Sequence, residues 1–141
     1  SLAKAQPYDF AAQLNRAQAY QEAARNADRP IAGQLVDVSK RALKMAYKLL
    51  PNSREASAQM KERLKLMKAE NLLLSGRAKK ALVDVTVLEK KLQESNAALA
   101  YYIKGVAYLE MNLPGLAEDY YNKLQEASDN EALLALYREQ Q

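Results

Sequence analysis

The chain contains no cysteine, no histidine and no tryptophan, and a single phenylalanine. Without cysteine, disulfides and thiolate metal sites are excluded, which is compatible with either redox environment. Without histidine, the usual general base and the commonest zinc and iron ligand are missing. Glycine-rich phosphate loops, metal-ligand spacings and nucleophile–base pairs are also lacking. A non-enzyme with no cofactor and no metal is therefore expected. No apolar run approaches the roughly 18 residues needed to span a bilayer, and no signal-peptide pattern is present. The four glycines and four prolines leave room for long uninterrupted elements.

What remains is 141 residues with an apolar share of 49%, enough for a single core. Much of that share is alanine and leucine, which favour helix. The net charge of +4 hides an asymmetry. Between Asp37 and Lys80, twelve Lys and Arg face four Asp and Glu, a balance of +8; from Ala81 to Gln141, five face ten, a balance of −5. Such a split describes either two differently charged solvated faces or a field directed at a partner.

Periodicity divides the chain into helices. Ser1–Gln6 carries no pattern. Pro7 suits a first helical turn with Asp9 near its positive end, and Phe10, Leu14, Ala17 and Ala24 mark a helix from about Pro7 to Asn26. Asp28-Arg29-Pro30 ends it. The second helix runs from Ile31 to Leu50, where Pro51 stops it. One of its stripes is Ile31, Leu35, Val38, Ala42, Met45 and Leu49; beside it lies Val36, Leu43, Tyr47 and Leu50. Asn52 and Glu55 read as a capping pair for the third helix, with Ala56, Met60, Leu64, Met67 and Leu74 inward. Ser75-Gly76 supplies its terminal turn.

The fourth helix covers Ala78 to Gln93, burying Ala78, Ala81, Leu82, Val85, Leu88 and Leu92. Val83-Asp84-Val85-Thr86-Val87 alternates like a strand. A helix is still expected, because helical spacing continues on both sides and an isolated strand cannot satisfy its backbone. Asn96 caps a fifth helix, Ala97 to Met111, and a sixth follows from Pro114 to Ala127. Ser128 and Glu131 open a last one, whose apolar side is Leu133, Leu134, Leu136 and Tyr137. The fold class expected is all-α.

Helices five and six carry an aromatic, a glycine, a tyrosine, an alanine and a second aromatic at Tyr101, Gly105, Tyr108, Ala117 and Tyr121, with Leu124 at the next apolar site. This spacing resembles a tetratricopeptide repeat, a helical hairpin of about 34 residues. Lys104 stands where leucine is usual, and Asp129 where a proline often falls. Shifting the template back aligns Ala69, Leu72, Ala81, Val85 and Leu88 with Gly105, Tyr108, Ala117, Tyr121 and Leu124. Helices one and two keep only Leu43, Ala46 and Pro51. The resemblance implies an α-solenoid of antiparallel hairpins forming a single domain over 1–141. The hairpins cover about 7–50, 53–93 and 97–127, with a capping helix over about 129–141.

The resemblance also implies a function: a non-catalytic protein–protein interaction module, a scaffold or adaptor holding a partner peptide or helix in a concave groove. That groove would take Arg63, Leu66, Glu70 and Leu73 from helix three. Helix five would add Leu99, Tyr102, Val106, Leu109 and Glu110. Tyr102, Ile103 and Val106 occupy the places where some members carry a lysine and asparagine clamp for a terminal carboxylate, so that specialisation is not expected. Of the two tyrosine pairs, Tyr101 and Tyr121 are expected in the core, with Tyr102 and Tyr120 more exposed.

The competing site is a basic face formed by Lys40, Arg41, Lys44, Lys48, Lys61, Lys65 and Lys68. It would bind nucleic acid, an anionic membrane or an acidic protein. No aromatic residues interleave with these cations as a stacking platform, and lysine predominates over the planar arginine used for base recognition. Glu62 and Glu70 read as solvated ion-pair partners. Self-association through stacked ends is a further expectation. The polar leader and the lack of cysteine tip the localisation only slightly toward an extracytoplasmic or periplasmic site.

Overall fold

The computed structural model describes residues 9–141; the expectation of a first helical turn at Pro7 lies outside them. Among the described residues the fold is all-α, with seven helices and no strand. They are α1 (Phe10–Arg25), α2 (Arg29–Lys48), α3 (Arg54–Leu74), α4 (Ala78–Glu89), α5 (Glu94–Glu110), α6 (Pro114–Glu126) and α7 (Glu131–Gln140). They form two compact units: one ends at Ser75, and the other is Gly76–Gln141. The first holds α1, α2 and α3, and the second holds α4 through α7.

Several boundaries follow local chemistry. Asp9 is the N-cap of α1, and its Oδ1 accepts a 2.6 Å bond from the Ala12 amide, a cap that stabilises by about 1 kcal/mol. Pro30 sits in the first turn of α2, where its missing N–H costs nothing. Gly76 has φ 80° after α3, the left-handed turn expected of it. Asn112, with φ 60°, closes α5 in the same conformation. The Leu113 amide then donates to the Tyr108 carbonyl at 2.9 Å and Asn112 to Leu109 at 3.1 Å, a Schellman closure.

Three capping expectations fail. The N-cap of α3 is Ser53 rather than Asn52, that of α5 is Gln93 with Asn96 buried inside the helix, and that of α7 is Asn130. Ser128 instead donates to Glu94 at 3.4 Å. α4 stops at Glu89, short of the expected Gln93. Its β-branched run is helical as expected: Val85 is fully buried while Val83 and Val87 face outward.

In the first unit, α1 and α2 form a closely packed pair, with α3 against both. The buried stripe of α2 is Ala32, Val36, Ser39, Leu43 and Ala46, with Ala42 beside it. Burial of both expected stripes is only partly met: Val36 and Leu43 from one and Ala42 from the other are buried, whereas Ile31, Met45 and Tyr47 are exposed. The small residues decide it, since alanine and serine let α1 approach closely whereas a row of large side chains would hold it off.

Three buried polar side chains lock this unit. Gln21 donates to the Met67 carbonyl at 2.8 Å and to Asn71 Oδ1 at 2.9 Å. Asn71 donates to Ser39 Oγ at 3.1 Å, and Ser39 to the Ala17 carbonyl at 3.0 Å. The chain of bonds joins all three helices, and no buried side-chain polar atom among the described residues lacks a partner. Such a network favours one register over its alternatives, because slipping a helix would strand polar groups away from water. Beside it Arg25 grips Glu70 through two bonds of 2.6 and 2.7 Å. Glu70 is therefore a buried ion-pair partner rather than a solvated one. Burial pulls Arg63 below its ordinary range, Glu70 opposing the effect and Arg25 adding to it.

In the second unit α5 is central, packed by α4, α6 and α7. It is buried without interruption from Tyr102 to Val106 and on to Ala107. The space beside Gly105 is taken by α7. A Cβ at Gly105 would lie 2.7 Å from Tyr137 Cε2. Tyr137 is fully buried, stacks on Tyr121 at 5.0 Å and donates to the Ala117 carbonyl at 3.2 Å. Desolvation raises its hydroxyl pKa, with Tyr121 and Glu118 adding to the effect.

Candidate functional site

The residues expected to line a groove are largely inside the protein. Leu66, Glu70 and Leu73 are buried in α3, as are Leu99, Tyr102 and Val106 in α5. Arg63 and Leu109 are half-buried, and only Glu110 is exposed. Tyr102, expected to be the exposed member of its pair, is 3% exposed. The reason is topological: a central helix covered by α4, α6 and α7 has few free directions left.

The other tyrosines also differ from expectation. Tyr101 and Tyr121 are half-buried rather than core. Tyr120, expected outside, stands at the centre of a charged cluster. Its hydroxyl lies 2.7 Å from Lys104 Nζ and 3.0 Å from Glu89 Oε1, and Lys104 meets Glu89 Oε2 at 2.6 Å. Lys123 lies 3.7 Å from Glu89 and 4.5 Å from the Tyr120 ring centre. Burial pushes the Glu89 carboxyl up, but bonds from Lys104 and Tyr120 and the charges of Lys104 and Lys123 outweigh it, leaving the carboxyl below its ordinary range. Burial likewise pulls Lys104 down, and its bonds and charge contact with Glu89 and Tyr120 outweigh that and raise it. Every group here has a partner within the unit, so the cluster is a structural tie between α4, α5 and α6.

The basic face is different. All seven of its cations are exposed. Six of them, Lys40, Arg41, Lys44, Lys48, Lys65 and Lys68, line a cleft of about 670 Å³ between α2 and α3. Helical spacing produces this arrangement: 40, 44 and 48 step along α2, while 61, 65 and 68 step along α3. Leu43 and Leu64 form the buried floor, and Tyr47 stands on the wall, 48% exposed. Lys61 lies 6.0 Å from the Tyr47 ring centre. An aromatic ring thus does sit among these cations, against the expectation, because Tyr47, read as part of an apolar stripe, is exposed beside Lys44 and Lys48 and also meets Lys61 across the helix pair. One ring cannot make a platform for successive bases.

No ion pair among the described residues involves any of the six cations, although Asp37 lies on the same helix. Concentrated, unneutralised positive charge around an apolar floor attracts an anionic group and offers a place for attached apolar atoms. No group of three potential ligands able to hold a metal occurs among the described residues, and none of their helices is long and apolar enough to cross a membrane. No family model, curated protein or solved structure matches the chain.

Proposed function

We propose that this chain is a non-catalytic protein-binding module whose α2–α3 cleft captures an acidic amphipathic segment of a partner protein. The observation that carries this reading is the pairing of six unneutralised cations with an apolar floor in one concave surface. A helix with an apolar stripe flanked by Asp and Glu meets both features: its stripe reaches Leu43, Leu64 and Tyr47 while its carboxylates meet the rim. A nucleic-acid backbone would use the charges but not the floor. A bilayer surface would need the apolar groups to protrude rather than line a recess. In this reading the helical hairpins form a tetratricopeptide-like scaffold, supported by the Tyr101, Gly105, Tyr108, Ala117 and Tyr121 pattern, with the binding site on the basic face.

The test is fluorescence anisotropy with a labelled synthetic helix of about sixteen residues bearing leucines on one face and glutamates on the other. Binding is expected to weaken by about tenfold or more between roughly 50 and 300 mM salt. It should weaken again in Lys44→Glu/Lys65→Glu and in Tyr47→Ser, all exposed positions. Duplex DNA and vesicles containing phosphatidylserine serve as competitors. Tighter binding of either, with no effect of Tyr47→Ser, would replace this reading with a purely electrostatic one.

A further inference from the structure

The occupant of this cleft can be inferred from the chain itself. The helix pair α6–α7 carries charge of the opposite sign, with Glu118, Asp119, Glu126, Asp129, Glu131 and Glu139 all exposed. Two cations share this segment: Lys123, beside Glu89, and Arg138, whose Nε donates to Tyr121 at 3.1 Å. None of the six carboxylates forms an ion pair among the described residues. The same segment exposes two large apolar side chains, Leu113 at 40% and Leu116 at 45%. Leu116 and Asp119 are three residues apart on α6, so they share a face. An exposed acidic helix face carrying Leu116, with Leu113 at its N-cap, is the chemical complement of a cationic recess floored by Leu43 and Leu64.

We propose that the cleft receives the α6 face of a second copy of this chain, giving head-to-tail self-association. The inference rests on the cleft being a binding site for acidic amphipathic segments, and it names the segment. The two complementary surfaces are different patches of one chain, so the contact is heterologous. A bound pair still offers one free cleft and one free acidic helix, one on each copy, and growth continues unless the rotation closes a ring. Exposed charges at the rim make assembly fall with salt. The −5 balance from Ala81 to Gln141, against the +8 balance from Asp37 to Lys80, supplies the orientation.

Self-association is tested by sedimentation equilibrium of the full chain over a range of concentrations at low salt. The weight-average mass should climb past that of a dimer and return toward 15.8 kDa as salt is added. The cleft variant Lys44→Glu/Lys65→Glu and the helix variant Leu116→Ser/Asp119→Asn change only exposed residues, and each alone should stay monomeric. Mixed together, they should form a complex capped at two chains, because one contributes the only intact cleft and the other the only intact acidic helix. A wild-type mass of one chain at every concentration would overturn the proposal, as would a mixture that stays monomeric while the wild type assembles. The acidic peptide probe separates the two levels. A monomeric wild type that binds the peptide loses only the self-association, whereas one that ignores the peptide loses the cleft reading too.

Discussion

Replacing Gly105 by alanine sets two known effects against each other. In the middle of α5 the exchange should stabilise the helix by up to about 1 kcal/mol, since glycine is the costlier residue in a helix interior. The new Cβ, however, would stand 2.7 Å from Tyr137 Cε2, about 0.8 Å inside an ordinary carbon–carbon contact. The ring cannot swing aside freely. Its hydroxyl is tied to the Ala117 carbonyl, its face rests on Tyr121, and it is fully buried. Either α7 shifts or the ring loses its bond, and overpacking of this kind costs about 1–3 kcal/mol. The net expectation is a loss of up to about 2 kcal/mol.

Urea unfolding followed by helical ellipticity measures this change directly, and tyrosine emission provides a second probe in a chain without tryptophan. The decisive comparison is a double-mutant cycle with Tyr137→Ala. That change should itself cost about 3–5 kcal/mol, and with the ring gone Gly105→Ala should become stabilising by up to about 1 kcal/mol. A reversal of this kind corresponds to a coupling of about 1–3 kcal/mol between residues in contact. If Gly105→Ala stabilised the protein in the wild-type background, the packing of α7 against α5 described here would be refuted.

Two further perturbations test the interior. Lys104→Met should cost about 1–3 kcal/mol, less than a fully buried pair because the Glu89 side chain is 21% exposed and keeps Tyr120 and Lys123. Glu89 has a lowered pKa, so its contribution is present above the unfolded value near 4.5 and disappears as pH falls through the folded value. Lys104 has a raised pKa, so its contribution is complete below about 10.5 and disappears as pH rises through the folded value. Stability measured against pH should hold from about 4.5 up to about 10, where the loss due to the raised Tyr137 hydroxyl begins, and Lys104→Met should flatten the part of the alkaline fall that Lys104 causes. Asn71→Leu should cost about 2–4 kcal/mol, because Gln21 and Ser39 each lose a buried partner. The triple change Gln21→Leu/Ser39→Ala/Asn71→Leu should recover much of that loss in denaturant titrations, since no polar group is then stranded.

The positions of the helices could be read from the chain because apolar residues recur at helical spacing and glycine and proline fall at their ends. Burial within a helix was harder to read. α2 carries two adjacent apolar stripes, and only the packing of its neighbours shows that burial centres on Val36 and Leu43 together with the small residues Ala32, Ser39, Ala42 and Ala46. The polar lock was visible only as interruptions. Gln21 lies between Ala17 and Ala24, Ser39 between Val36 and Leu43, and Asn71 between Met67 and Leu74, each at a position the apolar stripe would occupy. A polar residue at such a position signals a buried hydrogen bond, but its partner is a tertiary fact. The same holds for Arg25 and Glu70, which are 45 residues apart. Tyr102 was misplaced because two adjacent helical positions do not reveal that a helix is covered on several sides. The basic face was legible from its spacing, whereas its meeting across one cleft, with Tyr47 on the wall, was not.

The proposed binding falls to the α2–α3 cleft, floored by Leu43 and Leu64 and rimmed by lysines. Amide chemical-shift mapping with an acidic amphipathic helix tests it residue by residue. Saturable shifts are expected at Lys40, Lys44, Tyr47, Leu64, Lys65 and Lys68, abolished by Lys44→Glu/Lys65→Glu. Shifts centred on other helices, or weak shifts spread over every exposed lysine without saturation, would contradict it.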